Sequence, residues 1–298
     1  MFHVSRRDFF RTTLAGAGAL TAAPTLLRGA PAKASFSGTD IVPLGKTGIE
    51  VTRLAQGTGY NGTNHSSAHT RQGKAAFERL LKHSLERGIR FIDMADLYGS
   101  HTFVKDVVKS LPRDKYVLLS KIWPRPAEWT TPSGGATKEV DRFRQELDVD
   151  QIEVCLIHCM TDDQWPTQYE RVRDELSQLQ DKNVIRAKGV SCHDLGALKA
   201  AAVHPWVDVI FARVNYRCGK EYHCDGTVEE VETVLRTARR NGKAVVGMKI
   251  FGGGRLVEPE EKDASLKYVL ANDLVDAMTI GMLNPEEVDD TLERIAAV

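Results

Sequence analysis

From residue 52 to the end of the chain, short apolar runs alternate with longer stretches in which apolar residues recur at helical spacing. The runs fall at Thr52–Gln56, Phe91–Asp93, Val117–Lys121, Val154–His158, Ala187–Ser191, Val207–Arg213, Ala244–Lys249 and Ala277–Gly281. The amphipathic stretches follow them at Lys74–Arg87, Thr102–Ser110, Thr137–Leu147, Gln168–Asp181, Leu195–Val203, Thr227–Arg240, Glu260–Ala271 and Pro285–Ala297. The short runs read as strands and the longer stretches as helices. Each parallel strand needs a crossover helix before the next, so eight strand–helix pairs predict an α/β protein of the (β/α)8 barrel (TIM barrel) type. A doubly wound open sheet alternates in the same way, but no G-x-G-x-x-G opens a helix after the first strand, which removes that fold's main support. Ahead of the array, Pro43 to Val51 holds two short extended pieces around a Gly-Lys-Thr-Gly turn, the signal of an N-terminal β-hairpin. It stands outside the strand count and is expected to plug the N-terminal mouth of the barrel.

The first 34 residues do not share this pattern. Arg6 and Arg7 precede Phe9-Phe10, a small-residue apolar run extends from Leu14 to Leu27 with interruptions at Thr21 and Pro24, and Ala32-Lys33-Ala34 supplies an A-x-A cleavage site. In that order they predict a twin-arginine signal peptide over residues 1–34, with the barrel occupying 35–298. An ordinary amphipathic N-terminal helix is the plainer alternative. The apolar run falls short of the roughly 20 residues that a membrane-spanning helix needs, so no stable span is expected after cleavage. The expected partner of this segment is the twin-arginine export machinery, and the expected location is the periplasm or another extracytoplasmic space. Charge changes the picture only by exclusion. Forty basic residues balance forty acidic ones, and no basic tract is interleaved with aromatics, so nucleic acid is not an expected partner. The five cysteines are odd in number and form no paired C-x-x-C framework for zinc or an iron–sulfur cluster, so no metal is expected. Cys218 and Cys224 share a polar segment and can bridge in an oxidising compartment, although spacing alone does not decide it.

Candidate chemistry gathers at the C-terminal ends of three consecutive strands, where a barrel builds its active site. Asp93 closes the second strand, with Tyr98 in the loop beyond it; Lys121 closes the third and His158 the fourth. Singly, each has a structural explanation. A strand-end Asp caps a turn, a rim Lys is solvated, a lone His is a satisfied structural group, and a Tyr lids the core. Together, on successive strands, they make that explanation strained.

The D-x-A-x-x-Y-G stretch from Asp93 to Gly99, the strand-end Lys121 and the strand-end His158 resemble the catalytic tetrad of the aldo-keto reductase superfamily. The likeness extends from Asp40 to Val298 and includes the hairpin Leu44–Val51. The resemblance implies an NAD(P)-dependent oxidoreductase that moves a hydride between a nicotinamide cofactor and a carbonyl or alcohol. Tyr98 would be the general acid/base, Lys121 and Asp93 would tune it, and His158 would orient the carbonyl. A phenol is a poor acid at neutral pH, and a nearby ammonium is expected to bring its pKa down toward the working range. A neutral imidazole can donate to the oxygen on which charge develops.

The same resemblance assigns the cofactor face. Gly57 and Thr58 follow the first barrel strand. Ser191 falls where the family holds the nicotinamide amide, and Cys192 replaces the usual Asn beside it. Met248 stands at the place of the stacking aromatic, followed by Lys249, Phe251 and the glycines Gly252, Gly253 and Gly254, whose N–H groups are expected to approach a pyrophosphate. Gly281 and Glu287 occupy the places where NADPH-dependent relatives grip the 2′-phosphate, so the cofactor is NAD or NADP. Trp123 is expected to line the substrate mouth together with the 124–135 stretch and its Trp129. Free dinucleotide is not expected outside the cytoplasm, whereas the twin-arginine route exports folded proteins. A tightly bound cofactor, reloaded by a second substrate, reconciles the two. The alternatives are an acid–base isomerase or lyase, and a noncatalytic ligand-binding barrel with a degenerate cofactor site.

Overall fold

A computed structural model describes residues 35–124 and 134–298; the proposed signal segment and Trp129 lie outside the described residues. Residues 35–298 fold around a closed barrel of eight parallel strands: β3 (Leu54–Gly57), β4 (Phe91–Asp93), β5 (Val117–Ile122), β6 (Ile152–Met160), β7 (Ile185–Cys192), β8 (Val209–Arg213), β9 (Ala244–Met248) and β10 (Ala277–Ile280). Strand β10 pairs in parallel with β3 through Met278–Leu54 and Thr279–Ala55, which closes the ring. The hairpin is β1 (Ile41–Pro43) against β2 (Glu50–Thr52), antiparallel, with Val42 opposite Val51.

The helices α2 (Lys74–Glu86), α3 (His101–Val108), α4 (Ala136–Leu147), α6 (Glu170–Asp181), α7 (Leu195–Val203), α8 (Val228–Arg240), α9 (Pro259–Ala271) and α10 (Pro285–Ala296) follow the strands, and α1 (Ala68–Arg71) and α5 (Trp165–Gln168) are single turns. Several start where a side chain satisfies the orphan N–H groups of a first turn. Asp194 accepts from the Ala197 N–H, Thr227 and Glu230 form a reciprocal capping box, and Asn284 accepts from the Glu287 N–H with Pro285 at the first helical position.

Two hydrophobic layers follow from the strand pattern. Outward-facing residues such as Ile92, Leu118, Ile157, Val190 and Ile210 pack under the helices. Inward-facing Phe91, Leu119, Val154, Leu156, Val209, Phe211 and Val246 fill the barrel, joined by Leu44, Ile49 and Val51 of the hairpin. The hairpin therefore plugs the barrel as expected. Gly45 makes this fit, because it sits at φ +55° and a Cβ there would stand 2.6 Å from the Ala244 nitrogen.

Two boundaries differ from the pattern-based expectation. The first barrel strand begins at Leu54, because Thr52 belongs to the hairpin ladder. The Thr52 hydroxyl donates to the Leu54 carbonyl and accepts from the Arg90 and Phe91 N–H groups, tying hairpin to barrel. The expected helix Gln168–Asp181 is preceded by α5 and separated from it at Tyr169, where φ is −112°. The buried Trp165 anchors α5 by donating to the Ala197 carbonyl at 3.3 Å.

Candidate active site

The C-terminal ends of the strands open into one cavity of about 390 Å³. At its floor Lys121, on β5, forms a buried ion pair with Asp93, on β4. Lys121 Nζ also donates to the Met94 carbonyl at 2.9 Å, and the second Asp93 oxygen accepts from the Thr279 hydroxyl, on β10, at 2.9 Å. Burial pulls the Lys121 pKa below its ordinary range, and the Asp93 carboxylate opposes that by holding the proton on. Thr58 does not line the cavity. Its hydroxyl donates to the Asp93 carbonyl at 2.8 Å and pairs with Ser100, so it holds the end of β4 in place from behind.

Tyr98 lies in a 3-10 turn over Asp96–Tyr98 that ends at Gly99, φ +61°. Its ring packs against backbone at Gly59 and Gly62, where a side chain would overlap it; the Gly62 Cβ position is 2.6 Å from Tyr98 Cδ1. Gly57, Gly59 and Gly62 do carry the spacing G-x-G-x-x-G, yet the helix that follows them begins only at Ala68. These glycines make room for a tyrosine and for Thr279, whose hydroxyl is 2.9 Å from the Gly57 Cβ position, and do not open a phosphate-binding helix.

The Lys121 ammonium stands 5.0 Å from the centroid of the Tyr98 ring and 4.9 Å from that of Phe211. His158, at the end of β6, meets Tyr98 edge-on at 5.7 Å between ring centroids, with Trp123 edge-on at 5.7 Å and His193 at 6.4 Å. Trp123 is buried and supports His158; the cavity wall does not include it.

One expectation is reversed here. The Tyr98 pKa is pushed well above 10, first by burial, then by Coulombic interaction with Asp93 and with Cys159. The ammonium beneath the ring does not offset this, because Asp93 neutralises it at close range. That environment favours the neutral form of the Tyr98 phenol.

On the far side, Ser191 lines the cavity and accepts from the Cys159 N–H at 2.7 Å. That bond forms where the β6–β7 register shifts and Cys159 adopts φ +66°. Cys192 is fully buried and outside the cavity wall, with its thiol pushed well up by burial, which makes it inert. Met248 at the end of β9 and Lys249, Phe251, Gly253 and Gly254 beyond it line the cavity; Gly252 does not. The glycine loop is a series of tight turns at φ +58°, +63° and +90°. The Gly252 N–H donates to the Lys249 carbonyl and the Gly254 N–H to the Phe251 carbonyl. Of the three, the Gly253 N–H alone takes part in no hydrogen bond among the described residues.

Beyond β10 the wall continues through Gly281 to Glu287. The Glu287 carboxylate accepts from the Leu283 N–H at 2.8 Å and from Asn284 at 3.1 Å, so it stiffens the entry to α10. Tyr60, absent from the sequence reading, lies across this part of the cavity, with its hydroxyl 2.7 Å from the Gly254 Cβ position and its Cβ 3.2 Å from that of Gly281. A single tyrosine in a glycine-rich loop carries no sequence signal of that role. Thr279 had a readable one, as a polar side chain at a barrel strand end.

Cys218 and Cys224 are joined by a disulfide. Buried Asn215 ties that loop to the cavity, donating to the Tyr222 carbonyl, the Cys224 sulfur and the Lys249 carbonyl. His223 lies within 2.7 Å of the Gly253 Cβ position. Closing so short a loop removes unfolded-chain entropy worth about 2 kcal/mol. Reduction, or the double change Cys218→Ser and Cys224→Ser, is expected to lower stability by that amount. Urea midpoints measured with and without dithiothreitol check it, and identical midpoints would show that the bridge contributes nothing.

Residues 53–297 match the family model described as the aldo/keto reductase family. The chain belongs to the aldo/keto reductase family. A curated relative, probable aldo-keto reductase 1 of Glycine max, is 25% identical over 241 residues, which cover 76% of this chain and 65% of the relative's length. Among solved structures, a Pseudomonas aeruginosa protein provisionally assigned to the aldo-keto reductases superposes with a TM-score of 0.71 at 21% identity, covering 88% of this chain and 97% of that one. The holo form of a Bacillus halodurans aldo-keto reductase gives 0.69 at 18%, with 87% and 92% covered. At such identities the structural likeness speaks for the fold. For this aldo/keto reductase, site chemistry has to be argued from its own residues.

Proposed function

We propose that this chain is an NAD(P)-dependent oxidoreductase acting on a small carbonyl or alcohol, with Tyr98 as the proton donor. The observation that carries the reading is the buried Asp93–Lys121 pair beneath Tyr98, with His158 beside it, all on the wall of one cavity. A neutral phenol in that position gives its proton to a carbonyl oxygen as charge develops there, and His158 offers that oxygen a second hydrogen bond. Lys121 and Asp93 form the buried, mutually neutralised floor on which the Tyr98 ring sits.

The cavity also fits a dinucleotide. Its wall runs from the reacting end past Ser191 and Met248 to Gly253, Gly254 and Gly281, and side chains at the last two positions would fill it against Tyr60. Among the described residues the Ser191 hydroxyl proton and the Gly253 N–H take part in no hydrogen bond, so both can serve a ligand. A bound nicotinamide would supply the hydride that no side chain can. Met248 would lie against it, and Phe251 with Tyr60 would cover the groove.

Residues 1–34 are proposed to act as a twin-arginine leader that carries the folded protein out of the cytoplasm. If so, the dinucleotide has to stay bound through slow dissociation, since no free pool restores it. Protein recovered from the exported fraction is expected to release a stoichiometric NAD or NADP on denaturation, read by mass spectrometry of the supernatant. A clean protein that also fails to bind added dinucleotide would overturn the oxidoreductase reading.

A further inference from the structure

Lys249 is the first residue beyond β9, and its side chain lines the cavity. The other cations near it are answered. Lys121 has Asp93, Arg213 has Asp225 and the His193 carbonyl, and Lys262 lies 5.8 Å from the centroid of the Phe251 ring. The Lys249 carbonyl accepts from Asn215 and from the Gly252 N–H, while its ammonium takes part in no hydrogen bond or ion pair among the described residues. The acidic groups further along the wall do not answer it either. Glu287 is engaged in the turn before α10, and Asp290 is paired with Arg294.

The backbone shows that this arrangement is held in place. Lys249 sits at φ +60°, a conformation that the neighbouring glycines adopt without cost and a lysine does not. Two hydrogen bonds to its carbonyl keep it there. From that position Lys249 shares the cavity wall with Asp93, Tyr98, Lys121 and His158. Burial disfavours its charged form, and the one nearby carboxylate, Asp93, is already paired. An ammonium so placed is complemented by an anion that arrives with the ligand.

We propose that Lys249 selects acidic substrates: carbonyl compounds bearing a carboxylate close to the reacting carbon, and the matching hydroxy acids in the reverse direction. The inference rests on the oxidoreductase reading above and adds the substrate class to it. A neutral carbonyl leaves the charge buried without a partner, whereas an oxo acid is held at both ends, by Tyr98 and His158 at the oxygen and by Lys249 at the carboxylate.

The test compares glyoxylate, pyruvate and 4-oxobutanoate with their methyl esters, using the whole chain loaded with dinucleotide. The wild type is expected to prefer the acids. Lys249→Met is expected to lower the acid-to-ester ratio of kcat/KM by about 10–100-fold, the range set by losing a charged hydrogen bond, with partial recovery in Lys249→Arg. Equal losses for acid and ester that track weaker dinucleotide binding would place Lys249 on the cofactor phosphates and overturn the inference. So would a dinucleotide-loaded wild type that prefers the esters. A chain that binds no dinucleotide defeats the oxidoreductase reading instead. Calorimetric titration with the same oxo acids then decides on Lys249 alone: binding lost in Lys249→Met supports the assignment, and absent wild-type binding overturns it.

Discussion

Changing Asp93 to alanine is expected to destabilise the protein by about 3–5 kcal/mol, because it leaves the Lys121 ammonium buried with no counter-charge. Lys121 is 1% exposed, and its remaining partner would be the Met94 carbonyl. The deletion also strands the Thr279 hydroxyl, which now donates to the same carboxylate. Activity is expected to fall with stability, since the charge beneath Tyr98 would be lost by deprotonation of the lysine. The double variant Asp93→Ala, Lys121→Met removes the stranded charge and is expected to recover much of the stability while remaining inactive. Urea denaturation of the four proteins of this cycle measures the coupling directly. A single Asp93→Ala variant as stable as wild type would mean that the pair is wetter, and worth less, than its burial indicates.

Tyr98→Phe is expected to lower carbonyl turnover by about 10²–10⁴-fold, the contribution of a positioned proton donor, with little change in fold or dinucleotide affinity. Phenylalanine keeps the ring that packs on Gly59 and Gly62 and over Lys121, and removes only the hydroxyl. Because burial holds the Tyr98 pKa well above 10, the donor stays protonated through neutral pH. Reduction by the wild type is therefore expected to show no loss from tyrosine ionisation as pH rises into the mildly alkaline range. Turnover in Tyr98→Phe close to the wild-type rate would remove Tyr98 from the role, and a tyrosine-linked ionisation near neutrality would refute the burial argument.

Much of the fold is legible in the linear pattern. Local periodicity marks strands and helices, so β3 to β10 were all foreseeable within a few residues, and closure of the sheet was favoured over an open one because no G-x-G-x-x-G opens a helix after the first strand. The strand-end positions of Asp93, Lys121 and His158 were legible for the same reason, because a barrel fixes where strand ends go. Thr52 was assigned to the wrong element because its period suits either strand, and only the Arg90 and Phe91 N–H groups that seek its hydroxyl decide the matter.

Other features depend on groups far apart in the chain. That Thr58 props Asp93 from behind, that Gly59 and Gly62 make way for Tyr98, and that Tyr60 spans Gly254 and Gly281 are contacts between loops that no local period encodes. Spacing left open whether Cys218 and Cys224 bridge, and the loop after β8 brings them together as a disulfide. Electrostatics departs furthest from residue order. Lys121 beneath Tyr98 suggests a lowered phenol pKa, yet Asp93 cancels the ammonium and burial raises the phenol, because the interior penalises a charge according to everything packed around it. Sequence alone thus determined that Asp93, Lys121 and His158 stand at strand ends on the barrel's mouth, since backbone periodicity is local. Tertiary structure decided which of them are charged, paired or left waiting for a ligand, since desolvation and Coulomb terms are sums over neighbours from the whole chain.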